Sequence, residues 1–81
     1  MIRVQFGKTL KKLRKRLTDL SQENFANQIN MDRTYYSSVE NGNRNVSLLN
    51  IFKIAKGLNI SMSDLFFCVE EEDEDGQEGT K

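Results

Sequence analysis

The chain has 81 residues, with one cysteine and no histidine, tryptophan or proline, and its formal net charge is zero. A chain of this length forms one small domain. Without histidine, and with Cys68 as its single cysteine, it has no side-chain set suited to a zinc site, a haem site, a catalytic triad or an internal disulfide. We therefore expect no metal and no cofactor, and an enzyme is the weakest function class. No apolar run approaches membrane-spanning length and no signal-peptide pattern opens the chain, so a reduced, cytoplasmic setting is expected.

The zero net charge conceals two segments of opposite charge. Residues 1–69 contain eleven lysines and arginines against five acidic residues, a net charge of +6. Residues 70–81 contain Lys81 against seven acidic residues, a net charge of −6. This asymmetry points to nucleic acid as the partner of the basic part. The acidic segment has no apolar residue, so we predict a domain over residues 1–69 and a disordered tail over residues 70–81.

The first helix is predicted over residues 4–17. Its apolar side chains recur at the spacing of one helix face, at Phe6, Leu10, Leu13 and Leu17. Lysines and arginines occupy its other faces. The default interpretation of such a surface is a solvated helix, and only one or two of these cations are expected to touch phosphate.

Residues 21–42 contain two short helical patterns separated by a tight break. Ser21 and Asp32 are suited to cap the first and the second helix. Asn30, between them, tolerates the left-handed conformation that ends helices. Gly42 occupies the place of a glycine that terminates the second helix.

The second of these helices has two chemically different faces. Its inward face is formed by Tyr36, Val39 and Glu40. Its outward face is polar and free of acidic residues, and it comprises Arg33, Thr34, Ser37, Ser38 and Asn41. Such a face carries the donors, acceptors and small groups that reach base edges in DNA, without placing carboxylates beside phosphates. The alternative interpretation is a pair of amphipathic core helices joined by a turn.

After residue 42, the sequence predicts a loop at residues 43–47 and two further helices. Ser47 is suited to cap the first of them, predicted over about residues 48–58, and Ser61 or Ser63 is suited to cap a short second one. No acidic residue occurs between residues 41 and 63, which favours a functional loop over an ordinary asparagine-rich turn.

More apolar residues follow this loop than one small core can cover. We expect Leu65 and either Phe66 or Phe67 to close the core. The surplus residues are Leu49, Phe52, Ile60, Met62, the other phenylalanine and Val69. A cluster of exposed apolar residues at one end of a domain indicates an interface.

The pattern of residues 21–42 resembles the helix–turn–helix of the phage repressor and Cro family, also called the xenobiotic-response-element type. The resemblance extends over about residues 6–67. The residues that carry it are Gln22-Glu23, Phe25-Ala26, Asn30-Met31, Tyr36-Ser37, Val39-Glu40 and Gly42. It implies an all-α, compact five-helix, lambda-repressor-like domain whose third helix lies in the major groove of DNA. It also implies a structural ion pair between Arg14 and Glu40 and a homodimer formed through the fourth and fifth helices.

This resemblance gives the other polar residues of the motif expected roles. Arg33, Thr34 and Ser38 are expected to read bases, and Arg33 can bond O6 and N7 of a guanine together. Phosphate contacts are expected from Gln22, Tyr35, Ser37, Asn41, Asn43, Arg44 and Asn45. The dimer interface is expected to contain Leu49, Phe52, Ile60, Met62 and Phe67.

Two functions of different class remain open. The size of the chain, its helix from Asp32 to Ser38 and the following Asn43-Arg44-Asn45 are similar to restriction–modification controller proteins, which are stand-alone domains that bind operators upstream of their own gene. Phage-type repressors are the close variant. This interpretation implies a transcription regulator that binds double-stranded DNA as a homodimer on a palindromic operator, with RNA polymerase as a further candidate partner. The alternative is an antitoxin that neutralises a toxin protein and regulates its own operon, with only the acidic tail available to bind the toxin.

Overall fold

The computed structural model describes residues 1–80, with side chains for residues 1–72. Five helices form the molecule, and the described part of the chain contains no β-strand, which confirms the predicted all-α fold. In chain order they are α1 (Ile2–Leu17), α2 (Gln22–Gln28), α3 (Arg33–Glu40), α4 (Leu48–Leu58) and α5 (Met62–Thr80). Among these helices we find none with both the length and the apolar character needed to cross a membrane.

Side-chain caps place the starts of four helices. The side chains of Ser21, Asp32, Ser47 and Ser61 each accept a hydrogen bond of 3.0–3.2 Å from the backbone N–H three residues further on. These bonds satisfy N–H groups that have no partner within the helix. The caps predicted for α2, α3 and α4 are therefore confirmed, and of the two serines left open for α5 it is Ser61 that caps the helix.

Residues in the left-handed backbone conformation end α2, α3 and α4. Asn30 follows α2 with φ 59°, Gly42 follows α3 with φ 79°, and Asn59 follows α4 with φ 61°. Glycine adopts this conformation without strain, and asparagine is the other residue that visits it routinely. The turn after α2 is closed by a 2.8 Å hydrogen bond from the N–H of Met31 to the carbonyl oxygen of Ala26. These turns make the break between α2 and α3 as tight as the sequence predicts.

The core receives side chains from all five helices. Leu10, Phe25, Tyr36, Ile54 and Leu65, one from each helix in chain order, are fully buried. α1 packs mainly against α3 and α5, and α2 packs against α3. The long first helix is therefore the support on which the helix–turn–helix rests.

α1 differs from its prediction at both ends. It begins at Ile2 rather than at residue 4, and Leu17, in its last turn, is 46% exposed although its spacing predicts a core position. Position 7 requires glycine, because a Cβ atom there would lie 2.6 Å from the carbonyl oxygen of Val39 and would also meet that of Glu40. Only glycine allows the backbones of α1 and α3 to approach so closely.

The apolar residues of α5 are distributed differently from the prediction. Val69, predicted to be surplus, is buried one turn after Leu65, because α5 is longer than the short helix that we expected. Neither Phe66 nor Phe67 closes the core, and both are exposed. Phe66 packs at the surface against Phe6, with ring centroids 6.2 Å apart.

The acidic segment begins inside α5. Residues 70–72 are helical, so the boundary predicted after residue 69 falls within a helix. The carboxylate of Glu72 lies 2.7 Å from Lys12 Nζ on α1. Residue 81 and the side chains of residues 73–80 lie outside the described part, and a disordered tail there stays a prediction.

Candidate nucleic-acid interface

The outward face of α3 is a polar, acid-free surface. Arg33, Thr34 and Asn41 are exposed, and Ser37 and Ser38 are half-buried. These five side chains line one shallow depression. The face therefore offers one guanidinium group, hydroxyl groups and an amide to a partner that approaches α3 from outside.

α3 is fixed against α2 by aromatic packing. The rings of Phe25 and Tyr36 are tilted against each other with centroids 5.3 Å apart, and both side chains are fully buried. An edge-tilted pair of this kind stabilises the contact beyond its buried area. The packing turns the polar side chains of α3 outward.

A buried carboxylate connects α3 to α1. Glu40 Oε2 lies 2.8 Å from Arg14 Nε, and Glu40 Oε1 lies 3.2 Å from Arg14 Nη2, so the ion pair is bidentate. The Glu40 side chain is 1% exposed and the Arg14 side chain is 7% exposed. Arg14 Nη1 also donates to the carbonyl oxygen of Leu20 at 2.9 Å, which secures the segment between α1 and α2. The structure thus brings together the two residues that the family resemblance implies to be a pair.

Two further side chains donate to the same carboxylate. The Tyr36 hydroxyl donates to Glu40 Oε2 at 2.6 Å, and Gln22 Nε2, in the first turn of α2, donates to Glu40 Oε1 at 2.7 Å. Glu40 therefore holds α1, α2 and α3 together through four hydrogen bonds. No polar side-chain atom that is buried in the described part lacks a hydrogen-bond partner.

The network shifts the protonation equilibria of its members. Burial alone would raise the pKa of Glu40, but hydrogen bonds from Arg14, Tyr36 and Gln22 outweigh it and hold this pKa below its ordinary value. Burial, together with the hydrogen bond to Glu40, raises the pKa of the Tyr36 hydroxyl. The hydrogen bond to Glu40 raises the pKa of Arg14, against the opposing effect of burial. At neutral pH the network is therefore an arginine cation, a carboxylate and neutral tyrosine and glutamine side chains.

The loop after α3 folds back onto that helix. The guanidinium carbon of Arg44 lies 5.0 Å from the centroid of the Tyr35 ring, and Arg44 Nε donates to Ser38 Oγ at 3.0 Å. Ser38 Oγ donates to the carbonyl oxygen of Tyr35 at 2.7 Å, and the Tyr35 hydroxyl accepts from Asn50 Nδ2 at 3.2 Å. The loop cation is thereby placed beside the C-terminal half of α3.

The residues predicted to contact phosphate differ in their exposure. Asn41, Asn43, Arg44 and Asn45 are exposed in the segment that follows α3. Ser37 and Tyr35 are half-buried on α3, and Gln22 is half-buried with one amide hydrogen given to Glu40. A side-chain amide has a second hydrogen to donate, so a phosphate contact by Gln22 remains compatible with its bond to Glu40.

The predicted dimer residues divide into two groups. Leu49, Phe52 and Phe67 are exposed, whereas Ile60 and Met62 are half-buried and pack against the core of their own chain. Exposed aromatic and leucine side chains on α4 and α5 are the part of this set that a second chain can cover.

Three contributions to the site were not predicted from the sequence. The hydroxyl of Tyr36 and the amide of Gln22 both bond Glu40, and Asn50 bonds the hydroxyl of Tyr35. The spacing of Tyr36 and Glu40, four residues apart on one helix face, was a usable signal. Asn50 gave no signal, because its partner is fifteen residues away in sequence.

Comparison with known proteins identifies the family. Residues 10–65 match a protein-family model described as helix-turn-helix. The control protein C.MunI from Mycoplasma sp is 63% identical over 71 residues, which cover 88% of this chain and 96% of that relative. The crystal structure of the restriction-modification controller protein C.AhdI from Aeromonas hydrophila has 47% identity and a TM-score of 0.72, and the match covers 76% of this chain and 92% of that one.

A third relative has been solved with DNA. The restriction-modification controller protein C.Esp1396I, as a tetramer in complex with its natural 35-base-pair operator, matches with 30% identity and a TM-score of 0.80. The match covers 89% of this chain and 93% of that one. By its helix-turn-helix match and by these relatives, the chain belongs to the helix-turn-helix family of restriction–modification controller proteins.

Proposed function

We propose that this protein is a sequence-specific DNA-binding regulator of transcription that binds a two-fold symmetric operator as a homodimer. The observation that carries the proposal is the acid-free polar face of α3, held outward by the Glu40 network. C.Esp1396I, to which the chain is similar, was solved as a tetramer on operator DNA. Because the proposed target is operator DNA, as in C.Esp1396I, we infer that the protein acts in the cytoplasm.

In the proposed complex, α3 lies in the major groove. Arg33, exposed in the first turn, bonds the O6 and N7 atoms of a guanine, and Thr34 beside it contacts a neighbouring base edge. Phosphates are contacted by the exposed asparagines after α3, by Ser37 and Tyr35 on its flank and by the second amide hydrogen of Gln22. Two such helices one DNA turn apart, about 34 Å, require an operator with two-fold symmetry.

The apolar residues that a second chain covers in this dimer are the exposed ones, Leu49, Phe52 and Phe67, with Ile60 and Met62 at their edge. An antitoxin function receives less support. Apart from the helix-turn-helix domain, only the acidic segment would be available to bind a toxin. The relatives that match this chain are controller proteins.

Selection of bound sequences from a random pool of duplex DNA tests the proposal. The wild type should enrich one palindromic site, and no enrichment would refute sequence-specific binding. Arg33→Ala should weaken binding to the selected site by about 1–3 kcal/mol and relax the preference at one base pair in each half-site. An equal loss of affinity on selected and random duplexes would reduce Arg33 to a phosphate contact.

A further inference from the structure

The hydroxyl of Ser38 is already engaged before any DNA arrives. It donates its single hydrogen to the carbonyl oxygen of Tyr35 at 2.7 Å and accepts the Arg44 Nε–H at 3.0 Å. A serine hydroxyl has one hydrogen to donate and two lone pairs to accept with. Ser38 therefore keeps only one acceptor site for a base edge, which is a poor basis for direct base recognition.

Arg44 is held on two sides by these contacts. Its guanidinium group lies over the Tyr35 ring, 5.0 Å from the centroid, while its Nε–H is fixed by Ser38. The Tyr35 hydroxyl accepts a 3.2 Å hydrogen bond from Asn50 Nδ2 on α4, and this bond fixes the tyrosine that supports the guanidinium. A loop arginine on an exposed surface would otherwise sample many rotamers.

The charge of Arg44 is not neutralised within the described part of the chain. The two salt bridges there join Lys12 to Glu72 and Arg14 to Glu40, and no carboxylate lies within salt-bridge distance of Arg44. No acidic residue occurs between residues 41 and 63. The terminal nitrogen atoms of the guanidinium thus remain available to an anionic or hydrogen-bonding partner.

We propose that Ser38, with Tyr35 and Asn50, is a positioning residue that fixes the Arg44 side chain beside α3 for contact with operator DNA, and that Ser38 acts through Arg44 rather than by reading a base itself. The inference rests on the proposed DNA-binding function. Its physical basis is preorganisation: an arginine ordered in the unbound protein loses less rotamer freedom when DNA binds, so affinity rises without a new contact.

A double-mutant cycle between Ser38→Ala and Arg44→Ala tests this coupling on a duplex that carries the selected site. Ser38→Ala alone should weaken binding about 5-fold, the size of one net hydrogen bond. In the Arg44→Ala background the same substitution should change affinity by less than roughly 2-fold, the usual limit of additivity. The cycle of Thr34→Ala with Arg44→Ala is the control, and it should be additive because these side chains share no hydrogen bond.

The base-preference profile of Ser38→Ala separates positioning from direct recognition. If Ser38 positions Arg44, the profile of Ser38→Ala should change at the same base pairs as that of Arg44→Ala, or at none if Arg44 contacts phosphate. The inference would be overturned if Ser38→Ala weakened DNA binding equally in the wild-type and Arg44→Ala proteins and also changed the preference at a base pair that Arg44→Ala does not affect. Ser38 would then be a base-reading residue.

Hydrogen exchange of the Arg44 Nε–H in the unbound protein gives a test that needs no DNA. Nuclear magnetic resonance should show slower exchange for this group than for the Nε–H of Arg33, and Ser38→Ala and Asn50→Ala should accelerate it. Exchange equally fast in wild type and Ser38→Ala would refute the positioning role. If selection recovers no operator, the proposed function fails, and this measurement still decides whether Ser38 holds Arg44.

Discussion

Replacement of Glu40 by alanine removes the acceptor that joins α1, α2 and α3. The carboxylate is 1% exposed and receives hydrogen bonds from Arg14, Tyr36 and Gln22. Breaking a buried ion pair by removal of one partner costs about 3–5 kcal/mol, because the remaining charge has no compensation. Arg14 keeps its hydrogen bond to the carbonyl oxygen of Leu20, so we expect the lower end, about 3 kcal/mol.

Thermal unfolding at one fixed protein concentration measures this loss. For a domain of 60–100 residues, 1 kcal/mol corresponds to about 4–8 °C, so the melting temperature should fall by roughly 12–24 °C. Glu40→Gln should lose less, because it keeps an acceptor oxygen. A Glu40→Ala melting temperature within about 2 °C of wild type, less than 1 kcal/mol on the same scale, would refute a stabilising role.

The double variant Arg14→Ala with Glu40→Ala is the matched control. It leaves no buried charge without a partner, so its loss of stability should be smaller than the sum of the two single losses. Additive losses would mean that the two side chains stabilise the fold independently, in spite of their 2.8 Å contact.

The lowered pKa of Glu40 also predicts a pH dependence with a defined sign. A carboxyl group with a folded-state pKa below its ordinary value of 4.5 contributes stability that is complete above that pH. The contribution is lost as the pH falls through the lowered folded-state pKa. Acid unfolding of Glu40→Gln, which has no carboxyl group at this position, should therefore be less steep than that of wild type. Equal steepness would mean that other carboxylates govern acid unfolding.

Three further predictions concern α1, the proposed dimer and the acidic segment. Gly7→Ala should destabilise the fold although alanine favours helices by about 1 kcal/mol, because its Cβ would lie 2.6 Å from the carbonyl oxygen of Val39. A urea midpoint equal to or above wild type would contradict that close approach. Phe52→Glu should make the protein monomeric in sedimentation equilibrium without unfolding it, since Phe52 is 48% exposed; a dimer of unchanged strength would remove Phe52 from the interface. Deletion of residues 73–81, which spares Val69 and Glu72, should tighten binding to random duplex DNA at low salt more than binding to the selected site, with a gain that fades as salt shortens the Debye length. Unchanged affinities and salt dependences would leave the acidic segment without a part in DNA binding.

The fold follows from the sequence to a large degree because its helix ends carry local signals. Ser21, Asp32 and Ser47 lie three residues before the N–H groups that they cap, and Asn30 and Gly42 adopt the left-handed conformation that their types favour. Such signals act over a few residues and need no knowledge of the rest of the chain. Four of the five helices therefore begin where a local cap places them.

The wrong predictions concern burial, which depends on how far neighbouring helices extend. The spacing of Leu17 assigns it to the core face of α1, but it lies in the last turn and remains 46% exposed. The number of apolar residues, larger than one small core can cover, leaves Val69 among the surplus, yet α5 continues and buries it. Periodicity identifies the face of a helix to which a residue belongs, and it does not give the length over which another helix covers that face.

The polar contacts of the candidate site illustrate the same limit. The pairing of Arg14 with Glu40 was expected from the family resemblance, whereas the bonds from Tyr36 and Gln22 to the same carboxylate were not. Tyr36 lies four residues before Glu40 in the same helix. Arg14 lies in α1 and Gln22 opens α2, so only the packing of three helices brings these two side chains within 3.2 Å of the carboxylate. A pattern along one helix cannot report such a convergence.

This convergence ties the stability of the domain to the orientation of its DNA-facing helix. Glu40 is the last residue of α3, and its partner Gln22 is the first residue of α2, where a phosphate contact is proposed. A substitution that disturbs the carboxylate should therefore alter both the angle of α3 on α1 and the placement of the Gln22 side chain, for which the phosphate contact is proposed. Glu40→Gln, which keeps part of the hydrogen bonding, should for this reason lose more operator affinity than its loss of thermal stability predicts. A destabilising substitution at Ile54, which is buried in the core and is not among the proposed dimer residues of α4, should lower thermal stability to the same extent and yet leave operator affinity near wild type once the protein is folded.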